Sequence, residues 1–539
     1  MRAARWTIAI VGGLLIVLAI IASAGSRTAT LRQLVIDTLS ERLDSEVQLD
    51  AFSVDTFPTV HVTGSNLVIR HRGRRDVPPL VAVRSFALDG GLLGFFSRPR
   101  RFRTVALTGL QINIPPGFKK QVSGNTADDT PAKAKHPLTP PEKDAFSGRA
   151  DRPRTAADDG PAAIVVDTLI ADDAALTLIP KRAGKEPKVF AIHRLTMKPL
   201  GRAETMTFEA TVTNPIPKGL VKLTGTFGPW HREDPGGSPL GGRYNFDHAD
   251  LGTVRGIGGE LTSTGTFDGQ LNRIGVNGET RTPNFSVDVS GKSVPLNTKF
   301  EAVVDGTDGD TYLNAVSASF LNTSLTARGA IVGAEGVKGR TVKVHVKIDD
   351  GRVEDVLRLG VKGEAPVMTG RLALHADLNL PAGPKDVMDR LTLEGEFDVA
   401  GASFRNPTVQ AKVSDLSERA RGLDPVGTSG SVSSNLRGKF RLERKVLTLR
   451  DALFGVPGAA IQVAGSYGLA TEALEFDGTV RMRATISQAA GGGFKGVLLK
   501  VVDPLFRRDG AGAVLPIRIR GSRNEPKFGL DYGRALKRR

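Results

Sequence analysis

The chain has 539 residues, too many for one ordinary domain, and 40% of them are apolar, enough to form a core. It holds no cysteine, which excludes disulfides, thiol catalysis and cysteine metal sites. Its formal charge is +16, and the excess sits at the ends: residues 1–120 carry 16 Lys and Arg against 8 Asp and Glu, and residues 480–539 carry 14 against 4. The stretch between is close to neutral, so the ends suit an anionic surface, either lipid headgroups or nucleic acid.

The first apolar run, Trp6 to Ala24, has no charged residue. As a helix it spans roughly 28 Å, close to the ~30 Å hydrocarbon core of a bilayer. Arg2 and Arg5 precede it and keep that end cytoplasmic by the positive-inside rule. A basic start, an apolar run and Ala22-Ser23-Ala24 also describe a cleavable signal peptide, although this run is longer than is usual for one. Either reading exports everything after Gly25, which favours lipid over nucleic acid as the partner of the basic ends.

Thr30 to Leu43 reads as an amphipathic helix, with Leu31, Leu34, Val35, Thr38, Leu39 and Leu43 on one face and Thr30 as its N-cap. Its apolar stripe fits either a membrane surface or the end of a sheet. From Val47 the period changes to two. Short strands follow, including one whose apolar residues are Val60, Val62, Leu67 and Ile69. The "GGLLGFF" stretch puts Phe95 and Phe96 before Arg98, Arg100, Arg101 and Arg103, the composition of a membrane-touching loop or of a helical crossover with core Phe residues.

Residues 119–160 are rich in Pro, Ala, Lys and Asp and read as a disordered linker. Beyond them a strand of five to nine residues and a Gly, Asp or Asn turn repeat. The cleanest alternation is "TVKVHVKIDDG", with Val342, Val344, Val346 and Ile348 on one face and Lys343, His345 and Lys347 on the other. "RLALHADLNLPAG" repeats it with Leu372, Leu374, Ala376, Leu378 and Leu380. Helical interruptions are expected at Val353–Leu359, Pro384–Leu391 and Val409–Arg421. So many one-faced strands exceed what so few helices can cover. The apolar faces must meet in a sandwich, close into a barrel, or line a curved groove filled by something apolar.

Near the end, Phe494, Val497, Leu498, Val501, Val502, Leu505 and Phe506 fall on one helical face flanked by Lys495, Lys500, Arg507 and Arg508, a membrane-contacting or end-capping helix. The domain reading is an anchor at 1–26, a β/α region at 27–118, the linker at 119–160, the repetitive sheet at 161–485, and the helix with the last strands at 486–539.

No enzymatic chemistry is legible. Eight scattered His residues form no metal-binding spacing, and no G-x-S-x-G or P-loop has the right setting. "DGTDGD" (Asp305–Asp310) lacks the closing Glu of a calcium loop and reads as a hairpin turn. The expectation is no catalytic residue, no metal and no cofactor.

Several stretches, taken in order, resemble the AsmA-like proteins of Gram-negative bacteria, relatives of TamB and of the bridge-like lipid transfer proteins. They are "LSERLDSEVQL" and "VDTFPTVHVTGSNLVI" near the start, then "FDVAGASFRNPTVQAKVSDLSERARG", "LFGVPGAAIQVAGSYGLATEALEFDGTV" and "GGGFKGVLLKVVDPLFRR" followed by "LPIRIRGSRNEPKFGLD". The resemblance covers about half the chain. It implies a single-pass inner-membrane protein, N-terminus inside, with its bulk in the periplasm. It also implies a mainly β fold, an elongated, curved antiparallel sheet forming an apolar groove, and a role in outer-membrane biogenesis by passive phospholipid transport between the two membranes. On that reading Val342, Val344, Val346, Ile348, Leu372, Leu374 and Leu378 contact lipid. The alternative is a scaffold for outer-membrane proteins that works through an open sheet edge. The insertion at 119–160 is foreign to the family pattern and counts against a continuous groove across that point unless it loops outward.

Overall fold

The computed structural model describes residues 45–55, 59–71, 78–91, 100–114, 164–178, 188–200, 205–231, 234–333, 339–363, 365–421, 434–483 and 513–530, together with 94, 432 and the helical residues 32–33, 35–37 and 39–40. The apolar run Trp6–Ala24, the Phe95–Phe96 stretch, the linker 119–160 and the stripe Phe494–Phe506 lie outside the described residues. Among the described residues no helix is long and apolar enough to cross a membrane.

The described chain is mainly β, with 26 strands in one hydrogen-bonded sheet and few helices. It divides into two compact units, one built mostly from residues up to 253 and the other mostly from 312 onward. The linker at 119–160 is therefore not the division between them.

The first unit opens with β1 (Ser45–Gln48), β2 (Ala51–Asp55), β3 (Val60–His71), β4 (Val81–Gly90), β5 (Arg100–Thr108) and β6 (Gln111–Ile114). It continues with β7 (Ile164–Leu178), β8 (Lys188–Lys198), β9 (Met206–Pro215), β10 (Lys218–Phe227) and β11 (Pro239–Asp250). β1 and β2 both pair with β3, and the order then runs through β4, β5 with β6, β7, β8, β9, β10 and β11. The expected all-antiparallel order needs one correction, because β7 runs parallel to β5 and β6. A parallel neighbour needs a long crossover connection, and the segment carrying the linker supplies it. The register passes from Thr108–Asp172 to Gln111–Ala175 without a slip, so the sheet continues across the insertion.

Val35 and Leu39 of the N-terminal helix are buried with Val60, Val62, Leu67, Ile69 and Phe102, so these two members of its stripe pack on the sheet. Val60 and Val62 differ in parity from Leu67 and Ile69, yet all four join this core. A crease explains it: Asp50, Asn66, Arg84, Gly109 and Asp173 fall at one level of successive strands. Asn66 (φ 52), Gly109 (φ 65) and Asp173 (φ 53) are left-handed there. Each residue at that level rotates the strand enough to return the next apolar pair to the same side. The Asn66 amide donates to the Asp50 carboxylate at 2.9 Å. Gly109 cannot carry a side chain, because a Cβ would stand 2.9 Å from the Arg84 Cβ.

Strands β12 (Ile257–Gly258), β13 (Glu260–Gln270), β14 (Arg273–Val287), β15 (Ser293–Val304) and β16 (Thr311–Phe320) follow. Asp305–Asp310 is the turn between β15 and β16, closed by the Asp305 carboxylate accepting from the Thr307 N–H at 2.8 Å and by backbone bonds.

The second unit is an up-and-down meander of β17 (Thr323–Gly333), β18 (Arg340–Arg352), β19 (Met368–Leu380), β20 (Thr392–Phe404), β21 (Ser434–Glu443), β22 (Val446–Val456), β23 (Ala459–Gly468), β24 (Ala473–Met482), β25 (Ala513–Ser522) and β26 (Pro526–Leu530). Each strand pairs with the next, antiparallel. Helices α1 (Val353–Gly360), α2 (Val387–Arg390) and α3 (Pro407–Ala420) sit in three connections, where helical interruptions are expected. Asn406 caps α3 by accepting from the Thr408 and Val409 N–H groups at 2.9 and 3.2 Å, with Pro407 at the first position. The register shifts once in each pairing from β18–β19 to β22–β23. Such bulges bend and twist a sheet, here near the end where α1 and α3 pack.

Candidate functional site

β18 and β19 alternate as their sequence predicts. Lys343, His345 and Lys347 are exposed, whereas Val342, Val344 and Val346 are half-buried and Ile348 is buried. All seven residues singled out by the pattern share one face, because Val344 lies opposite Leu378 and Ile348 opposite Leu374. They divide in their surroundings. Ile348 and Leu372 pack with Val353 of α1, Met368 and Val399, and Leu374 lies against that cluster, so these three belong to a protein core. Val342, Val344, Val346 and Leu378 remain partly open.

The apolar face continues in register beyond these two strands. Leu378 pairs with Leu393, Leu393 with Leu442, Leu442 with Leu447, Leu447 with Tyr467, and Tyr467 with Leu474. One level along, Phe440 lies opposite Leu449, and Phe476 opposite Ile519. β-strands present alternate residues to one side, so this in-register pairing makes stripes of apolar side chains running across the strands.

The margins of the face are closed. α3 seats Val413 and Ala420 against Phe454, Val456, Val480 and Met482. At the other ends of the strands, Met388 of α2 joins Tyr467, Leu469 and Val289, with Val361 packed on them. Val361 begins a segment held at two points: the Arg523 guanidinium donates to the Lys362 carbonyl, and the Lys292 ammonium to the Gly363 carbonyl. Arg523 also pairs with Glu472 at 3.6 Å. Tyr467 is 9% exposed, and among the described residues its hydroxyl has no hydrogen-bond partner. Burial, with the Glu472 charge adding to it, pushes its pKa above the ordinary tyrosine value, against the opposing effect of Arg523.

The opposite face is charged. It carries an open trough of about 870 Å³ over β16–β22, lined by two rows of long polar side chains. Those charges compensate one another: Arg441 donates to Glu394 at 2.8 Å, and His345 bonds Asp377. Among the described residues no cluster of His, Asp and Glu could hold a metal ion. The sequence pattern placed the apolar face but gave no sign of Lys292, Arg523 or the segment between Val361 and Pro366. Their partners are as far as 161 residues away, and no local period marks them.

No family model, no curated protein and no solved structure matches this chain.

Proposed function

We propose that the chain is a lipid carrier of the AsmA-like kind. It is anchored in the bacterial inner membrane by Trp6–Ala24, has its bulk in the periplasm, and serves outer-membrane biogenesis by passive movement of phospholipid. The observation that carries this reading is the apolar stripe from Val344 through Leu378 to Leu393, whose members stay half-buried, whereas Leu442 and Leu447 farther along pack against the Tyr467 cluster. Sheltering an acyl chain there contributes about 0.8 kcal/mol per methylene, and equivalent strands side by side allow a chain to slide. The reading involves no catalytic step and no cofactor. Mass spectrometry of lipid extracted from the full chain, purified after brief exposure to mild detergent, tests it. Phospholipid in excess of an unrelated single-pass protein supports carriage, and a background level argues against it.

The scaffold reading has one observation of its own. Among the described residues β26 pairs on one side only, and its Phe528 is 43% exposed, an edge that an incoming strand could extend. Background lipid together with capture of unfolded outer-membrane strands at β26 would favour it.

A further inference from the structure

The segment after α1 borders a second, smaller cavity, of about 190 Å³. That is below the ~300 Å³ at which pockets for drug-sized ligands begin, and of the order of one small polar group. Three cations line it from three connections: Lys292 from the β14–β15 turn, Arg358 from the last turn of α1, and Arg405 from the link between β20 and α3.

Among the described residues two acids also line the cavity, against three cations, and both accept hydrogen bonds from neutral donors. Glu354 accepts from the Gly370 N–H at 3.1 Å. Asp355, 4% exposed, accepts from the Asn322 N–H at 2.9 Å and the Thr323 hydroxyl at 2.8 Å. Lys292 donates to the Gly363 carbonyl, which fixes its ammonium at the cavity wall. Among the described residues the guanidinium groups of Arg358 and Arg405 have no hydrogen-bond or ion-pair partner. The helix dipole favours a cation at Arg358, but no such field explains Arg405 beside it. Two unpaired forked donors in a cavity of this size fit a tetrahedral oxyanion better than a neutral or cationic group.

We propose that this cavity binds a phosphate-class anion through Arg358 and Arg405. The site does not depend on acyl-chain carriage, since its ligand is free phosphate or the phosphodiester of a lipid. Its position bears on the second source. Leu357 and Val361, on its apolar side, pack against the core of Ile348 and Leu372 and against the Tyr467 cluster, respectively. A lipid phosphate held here sits beside the stripe that would take its tails.

The test is phosphorus NMR line broadening with the full chain in a phosphorus-free maltoside. The two probes are inorganic phosphate and dihexanoyl phosphatidylglycerol below its micellar concentration. Arg358→Gln/Arg405→Gln is expected to weaken binding by about tenfold or more, the loss of a charge-assisted contact. Lys343→Gln/Lys347→Gln, on the charged sheet face, is expected to leave binding unchanged. Both variants change exposed side chains, and an unaltered thermal transition checks the fold. Broadening of inorganic phosphate that the arginine variant abolishes supports the site with phosphate alone sufficing. Broadening of the lipid only, abolished in the same way, supports it with the headgroup as the source. No broadening with either probe, equal broadening in wild type and the arginine variant, or an equal loss in the lysine variant would overturn it.

Discussion

Arg523, in the turn between β25 and β26, donates to the carbonyl of Lys362, 161 residues earlier. The next residue, Gly363, has φ 110, and a Cβ on it would stand 2.2 Å from the Arg523 Nη1. These contacts hold the segment from Val361 across the apolar cluster of Tyr467 and Leu469. The Arg523 side chain is 15% exposed, so its bonds lie in a largely desolvated setting. Arg523→Ala should destabilise the second unit by about 1.5–3 kcal/mol, and Gly363→Ala by about 1–2 kcal/mol. In hydrogen exchange, both should deprotect residues 361–363 before the strands beneath. Unchanged protection in both variants would show that Val361 packing alone holds the segment.

Asp355 links α1 to the β16–β17 turn through two accepted hydrogen bonds. Thr323 is 1% exposed, so its hydroxyl has no access to solvent if the carboxylate is removed. Asp355→Ala should therefore cost about 2–3 kcal/mol in chemical denaturation, whereas Asp355→Asn, which keeps an acceptor, should cost less than half of that.

The crease in the first unit makes a separate prediction. Asn66 holds a left-handed conformation that a β-branched residue adopts only under strain. Asn66→Val should lower stability by about 1–2 kcal/mol and Asn66→Gly by less than half of that, read from thermal unfolding. Equal losses would mean that the amide bond to Asp50 matters more than the backbone conformation.

Much of this arrangement is legible in the sequence, and the exceptions have physical causes. Alternation placed Val344 and Leu378 on one face because a strand has a period of two. The same rule left Val60 and Val62 at odds with Leu67 and Ile69, since a single left-handed Asn66 resets the period without any composition signal. The amphipathic stripe of the N-terminal helix was compatible with membrane or sheet, and only its partners decide: Val35 and Leu39 are buried on β-strands. The parallel step at β7 depends on a pairing across more than forty residues of linker, which no local pattern encodes. Arg358, Arg405 and Arg523 look like solvated charges until the fold places the segment after α1 beside them.

Alkaline pH should destabilise the second unit through Tyr467. Its folded pKa is raised by burial, while the unfolded chain titrates near 10. The folded state then holds the proton more tightly, so stability is full below about pH 10 and falls as the pH rises through the raised value. The raised pKa of Lys445, caused by its hydrogen bond to Asp389, acts in the same direction. Tyr467→Phe removes a buried hydroxyl that has no partner among the described residues, so it should cost little at neutral pH and flatten the alkaline decline. A decline of the same size in the variant would assign the effect to other groups.

The central claim is that one face of β18–β20 shelters acyl chains while its reverse is wet. The most direct measurement is photo-crosslinking in cells, with a benzoylphenylalanine placed in turn at Val344, Leu378, Leu393, Lys343, Asp377 and Glu394 of the full chain, and labelled phospholipid as the readout. The account predicts adducts at Val344, Leu378 and Leu393 and none above background at Lys343, Asp377 and Glu394. Adducts at all six positions, or at none of the three apolar ones, would contradict it.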